Sequence, residues 1–167
     1  MKKKLEKLEK YWILYDVGNS AFALLLSTII PIYFKNMAAA AGIANADSTA
    51  YLSYAISIST VIVAILGPVL GAVADHKNRK RPLFTFFMMM GVLGCAGLAL
   101  PSGIIAFLAV FVIAKVGFSG SLIFYDSMLV DVTTDERMDE VSSQGFAWGY
   151  IGSCAPFVIS LGLILGA

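Results

Sequence analysis

Five apolar runs, at residues 11–34, 51–74, 82–100, 103–129 and 145–167, succeed one another with only short polar breaks. Each reaches the roughly 20 residues that an α-helix needs to cross about 30 Å of hydrocarbon. A water-soluble domain carries about a quarter of its residues as charges. Here 59% of the 167 residues are hydrophobic and 14% charged, more apolar surface than a soluble fold of this size can hide. Lipid accepts that surface, provided that each segment satisfies its own backbone hydrogen bonds, which an α-helix does. The pattern predicts an all-α membrane protein with five transmembrane helices. Residues 1–10 form a charged leader, and residues 11–167 a transmembrane helical bundle embedded in the lipid bilayer.

The first run is not a cleaved leader: it is too long, and Asp16 and Asn19 interrupt it, although Ala38-Ala39-Ala40 imitates a cleavage site. Basic residues set the orientation. Lys2, Lys3, Lys4, Lys7 and Lys10 precede the first run, and Lys77, Arg79, Lys80 and Arg81 crowd the break between the second and third. Arg137 lies between the fourth and fifth runs, whereas the opposite side offers only Lys35, at the edge of the connection over residues 36–50. The positive-inside rule then puts the N-terminus in the cytoplasm, and a cell (plasma or inner) membrane is the expected location. The acidic connection over residues 131–140 reads as a solvated turn, with ion pairing to the basic loop as its alternative. The sequence stops at Ala167 just as the fifth run ends, so an N-terminal fragment of a longer protein is expected.

Charges within the membrane are costly and normally face protein or water. Three fall inside the runs: Asp16, Lys115 and Asp126. In the first run Asp16, Asn19 and Ser20 share one helical face; in the fourth, Lys115, Ser119 and Asp126 do. With alternating crossings, Asp16 and Asp126 come to a similar depth near the cytoplasmic side, and Lys115 about 16 Å deeper at the helical rise. Two readings stand: a water-accessible cavity lined by runs one and four, or a buried pairing of Lys115 with an acid. The second run has a stripe of small residues ending in Gly67 and Gly71, and the fifth repeats Gly145, Gly149 and Gly152. Such stripes let helices approach closely. The two cysteines, Cys95 and Cys154, sit in apolar runs without metal-ligand spacing, so no metal site and no cofactor are expected. Nothing in the charge pattern suggests nucleic acid as a partner.

The break after the second run reads Gly71-Ala72-Val73-Ala74-Asp75-His76-Lys77-Asn78-Arg79-Lys80. It resembles the loop signature of the major facilitator superfamily, Gly-x-x-x-Asp-Arg/Lys-x-Gly-Arg-Arg/Lys, with His76 and Asn78 departing from it. Tyr15-Asp16-Val17-Gly18-Asn19-Ser20-Ala21-Phe22 and Pro31-Ile32-Tyr33-Phe34-Lys35 are similar to the opening of that superfamily's vacuolar-effluxer-like branch, named for an autophagy-related amino-acid effluxer. Gly117 to Asp126 and Ser143-Gln144-Gly145-Phe146-Ala147-Trp148-Gly149-Tyr150-Ile151-Gly152 resemble the same branch.

The resemblance implies a twelve-helix transporter built of two six-helix halves, of which this chain carries most of the first. It also implies alternating access, with helices one and four lining the cavity and helices two and five meeting the missing C-terminal half. The expected function is secondary active transport of small solutes, amino acids among them, with or without a coupling proton. Asp16, Asn19, Ser20, Lys115, Ser119 and Asp126 are the candidate substrate- or proton-binding residues. By the resemblance, Gly71, Asp75, Arg79 and Lys80 form the cytoplasmic gate.

No enzyme is expected. Gly117-Phe118-Ser119-Gly120 imitates a rhomboid-type serine protease, but His76, the only histidine, lies in a loop and cannot serve as its base. The Tyr-Asp pairs at Asp16 and Asp126 imitate presenilin-type aspartyl proteases, whose Gly-x-Gly-Asp motif is missing. A non-transporting receptor or assembly protein is the alternative, because fold analogy does not fix function.

Overall fold

The computed structural model describes residues 5–76, 79–100 and 103–165, with residues 164 and 165 described by backbone alone. Lys2, Lys3 and Lys4 of the leader, Lys77 and Asn78 of the basic break, and the end of the fifth run lie outside the described residues. The order is α1 (Lys7–Ala40), α2 (Asn45–Ala74), α3 (Lys80–Gly97), α4 (Ile104–Ser127), the one-turn α5 (Leu129–Val132), a 3-10 turn (Asp135–Arg137) and α6 (Met138–Leu165). There is no strand among the described residues.

The expectation of five spans is met in part. Among the described residues, four helical stretches are long and apolar enough to cross a membrane: Lys7–Ala40, Asn45–Ala74, Ile104–Ser127 and Asp135–Leu163. The third expected span, α3, has 18 residues and begins with Lys80 and Arg81. Its helical part ends at Gly97 rather than at Leu100. Beyond the two charges the helix rises only about 24 Å, short of the hydrocarbon thickness.

The helices also outrun the hydropathy. The expected connection over residues 36–50 is largely helical: α1 continues through Met37-Ala38-Ala39-Ala40, three of them the best helix former. The helix stops where Gly42 takes φ 77°, with its N–H donating to Ala39 O and the Ile43 N–H to Ala38 O, both at 3.0 Å. That double closure ties off the last carbonyls and needs a residue that tolerates the left-handed region. Helix α2 begins at Asn45, so the connection shrinks to four residues, 41–44. Apolarity marks depth in lipid, whereas the helix ends are set by caps.

The chain divides into two compact units, residues 1–33 with 129–167 and residues 34–128. In the second unit α4 packs against both α2 and α3. The α3–α4 seam is made by small residues. A Cβ at Gly94 would lie 2.8 Å from Ala114 Cα, and one at Gly91 would lie 3.1 Å from the Phe118 amide nitrogen. Gly117 returns the contact against Gly91, and Gly120 receives the Phe87 ring. Numbers fall on α3 as they rise on α4, so the two helices run antiparallel. Ala74, Phe87 and Phe124 form a buried cluster with Leu70, Leu83, Phe84, Met90 and Met128 around it. At the far end of α4, the fully buried rings of Phe34 and Phe107 stack with centroids 5.6 Å apart.

In the first unit α1 meets α6 along the glycine repeat. Gly145 faces the Trp12 ring, Gly149 faces Asp16 and Ser20, and Gly152 faces Val17. Here the numbers rise together, so α1 and α6 run parallel. Trp12, Ile13, Asp16 and Val141 are buried in this unit.

Candidate functional site: a polar seam, a row on α4 and the basic break

The site residues expected on the first run come together in the α1–α6 seam. Asp16 is 7% exposed. A Cβ built on Gly149 would lie 2.5 Å from Ser20 Oγ, 3.2 Å from Asp16 Oδ2 and 3.3 Å from Asp16 O, while one on Gly145 would lie 3.3 Å from Asp16 Oδ2. The glycines are therefore what lets the polar face of α1 lie directly on α6. One turn along, the Asn19 side chain is hydrogen-bonded to the Asp16 carboxylate. Its Oδ1 is buried and has no hydrogen-bond partner.

Lys115, Ser119 and Asp126 stand on α4 in the other unit. Ala114, Gly117 and Gly120 turn toward α3, so the Lys115 row lies beside that seam rather than in it. Lys115 and Ser119 are half-buried and Asp126 is exposed.

In the basic break, Gly71 lies in the last turn of α2 and has no heavy atom within 4 Å of the position a Cβ would take. Asp75 occupies the C-cap of α2 and is exposed; its N–H closes on Gly71 O. Arg79 is the N-cap residue of α3, with its N–H donating to His76 O at 3.2 Å. Lys80 reaches across the unit: Nζ donates to Ser127 O at 3.0 Å. The cation thus meets the carbonyl end of α4, where the helix dipole is negative.

One constellation is absent from the sequence expectations. Glu9 is 1% exposed although it lies in the charged leader. Its Oε2 accepts the Glu6 N–H at 2.7 Å, a capping interaction at the start of α1. Its Oε1 accepts from the Thr133 hydroxyl at 2.7 Å and from Arg137 Nη1 at 3.1 Å. The connection over residues 131–140 is partly helical, and its arginine pairs with the leader.

Four helical stretches among the described residues that are long and apolar enough to cross a membrane mark a multi-pass membrane protein. Comparison with known proteins gives the family. The model of a family described as vacuole effluxer Atg22 like matches residues 43–137. A Bacillus subtilis (strain 168) protein named uncharacterized MFS-type transporter YxiO is 47% identical over 168 residues, which takes in 99% of this chain and 39% of that protein. The chain belongs to the vacuole-effluxer-like family of the major facilitator superfamily. It spans about two fifths of the length of the curated relative it matches. No solved structure matches it.

Proposed function

We propose that this chain is the N-terminal part of a secondary transporter that moves small solutes across a cell membrane by alternating access, with its N-terminus in the cytoplasm. The observation that carries the reading is the family match, which reaches the α2–α3 break and α4 and extends over α1 and α6 in the relative. Amino acids are the solutes to try first, on the resemblance to an effluxer family. Asp16, Asn19 and Ser20 on α1 and Lys115, Ser119 and Asp126 on α4 are the proposed binding set. Lys115 would hold a solute carboxylate, and Asp16 or Asp126 would carry the coupling charge. A missing C-terminal half completes the site, and Gly71, Asp75, Arg79 and Lys80 form the cytoplasmic gate against it.

The test is uptake by proteoliposomes holding the protein expressed from its complete gene. Lys115→Ala should weaken uptake of anionic and zwitterionic solutes and spare neutral ones; an equal loss for all would make Lys115 structural. If Asp16→Asn and Asp126→Asn both leave pH-dependent uptake intact, neither carries a proton.

A further inference from the structure

We infer that Lys80 is a positioning residue for α4: its ammonium holds the carbonyl end of that helix in place, and with it Asp126 in the last turn.

The register of the α3–α4 seam puts it there. Gly94 meets Ala114 and Gly91 meets Gly117, one residue down α3 for each residue up α4. Further along, the Phe87 ring stacks on Phe124 with centroids 5.9 Å apart. Lys80, Phe87, Gly91 and Gly94 recur at the spacing of a single helical face. Continued at the same register, that face brings Lys80 level with Met128, the C-cap of α4. The side chain needs only to turn over the helix end, and Nζ donates to Ser127 O at 3.0 Å, 47 residues away in the chain. Arg79 and Arg81, on either side, are exposed, whereas Lys80 is half-buried.

Electrostatics favours the same arrangement. Lys80 opens its own helix, whose first turn holds no acid. The dipole there is positive and disfavours a cation. Antiparallel α4 reverses this, because it presents its negative end at the same level, with the open carbonyls that a helix end leaves. A charged donor on such a carbonyl makes a strong hydrogen bond. The local bonds of this end stay within the turn: the Ser127 hydroxyl donates to Phe124 O at 2.8 Å, and the Met128 N–H closes on Phe124 O and Tyr125 O. Lys80 ties that turn to another helix. Asp126 precedes Ser127, so holding the Ser127 carbonyl fixes the direction in which Asp126 leaves α4. The inference rests on the transporter reading for its consequence in uptake, and it refines the part Lys80 plays in the gate. Lys80 works inside this unit, on α4, rather than by meeting the rest of the protein.

The experiment is amide hydrogen exchange of the protein made from its complete gene, in detergent, followed over residues 124–128. Lys80→Met keeps the reach of the side chain and removes its charge and donors. It should speed exchange there about tenfold and leave residues 111–117 of the same helix unchanged. Lys80→Arg keeps a cation able to reach the carbonyl and should restore slow exchange. Arg81→Met removes the neighbouring cation and should change nothing. If Lys80→Met does not fold, Lys80→Gln, whose neutral amide falls short of Ser127 O, takes its place. Exchange indifferent to the loss of Lys80 overturns the inference, and so does an equal effect of Arg81→Met. Uptake of a radiolabelled amino acid gives a second readout. Lys80→Met should raise KM several-fold, and the rise should vanish in an Asp126→Asn background, because Lys80 acts through that residue. A rise of full size in both backgrounds overturns the inference and returns Lys80 to the gate alone. If the unsubstituted protein takes up no amino acid while the exchange pattern stands, the transporter reading loses its support and this one keeps it.

Discussion

Arg137 Nη1 lies 3.1 Å from Glu9 Oε1, with the arginine side chain 13% and the glutamate 2% exposed. The first turn of α1 is thereby tied to the turn that launches α6. Thr133 shares the same carboxylate oxygen, so one side chain of the leader holds two residues of the connection.

Removing Glu9 should destabilise the protein well beyond a surface ion pair. Breaking one side of a buried pair leaves a charge with neither partner nor water, and costs about 3–5 kcal/mol when burial is complete. The residual exposure of Arg137 lowers that to about 2–3 kcal/mol for Glu9→Ala. Replacing both, as Glu9→Leu with Arg137→Met, should recover much of the loss. Thermal unfolding of the two singles and the double in detergent gives the coupling; additive losses would mean that the pair is not coupled.

The same carboxylate predicts a pH dependence. Glu9 lies ahead of the apolar run that starts at Tyr11. Burial pushes its carboxyl up, but the Glu6 N–H, the Thr133 hydroxyl and Arg137 together outweigh burial and hold it below the usual carboxylate range. A depressed folded value means stability that is present above the unfolded value, about 4.3 for glutamate, and is lost as pH falls through the folded one. The gap in melting temperature between the unsubstituted protein and Glu9→Gln should therefore be full at neutral pH and close in acid. A gap that stays constant would assign the effect to packing.

Much of the bundle is legible in the sequence because lipid imposes a simple code. Apolar runs give α1, α2, α4 and α6, and the small stripe Gly145, Gly149 and Gly152 marks a helix-to-helix surface that α1 does occupy. The polar face Asp16, Asn19 and Ser20 is equally legible, but not its neighbour. Periodicity shows which residues share a face and is silent on what the face meets. The helix ends fail for a different reason: Ala38-Ala39-Ala40 is neither strongly apolar nor helix-breaking, so hydropathy ends before α1 does. Glu9 is missed because a leader rich in lysine reads as solvated, and its burial depends on Thr133 and Arg137 far along the chain. A capping pattern with Glu9 three residues after Glu6 was the one local signal for it.

Glycine substitutions separate packing from gating. A Cβ at Gly94 would lie 2.8 Å from Ala114 Cα, so Gly94→Ala must push α3 from α4 and should cost about 1–3 kcal/mol. At Gly71 a Cβ meets nothing within 4 Å, and Gly71→Ala should stabilise α2 by up to about 1 kcal/mol through helix propensity. Gly71→Leu should likewise fold. If Gly71 sits at the proposed cytoplasmic gate, the leucine variant of the protein made from its complete gene should keep its melting temperature and lose most of its uptake. Unfolding curves and uptake rates on the three variants check this. Full uptake in Gly71→Leu would remove Gly71 from the gate and leave it an ordinary residue of the last turn of α2.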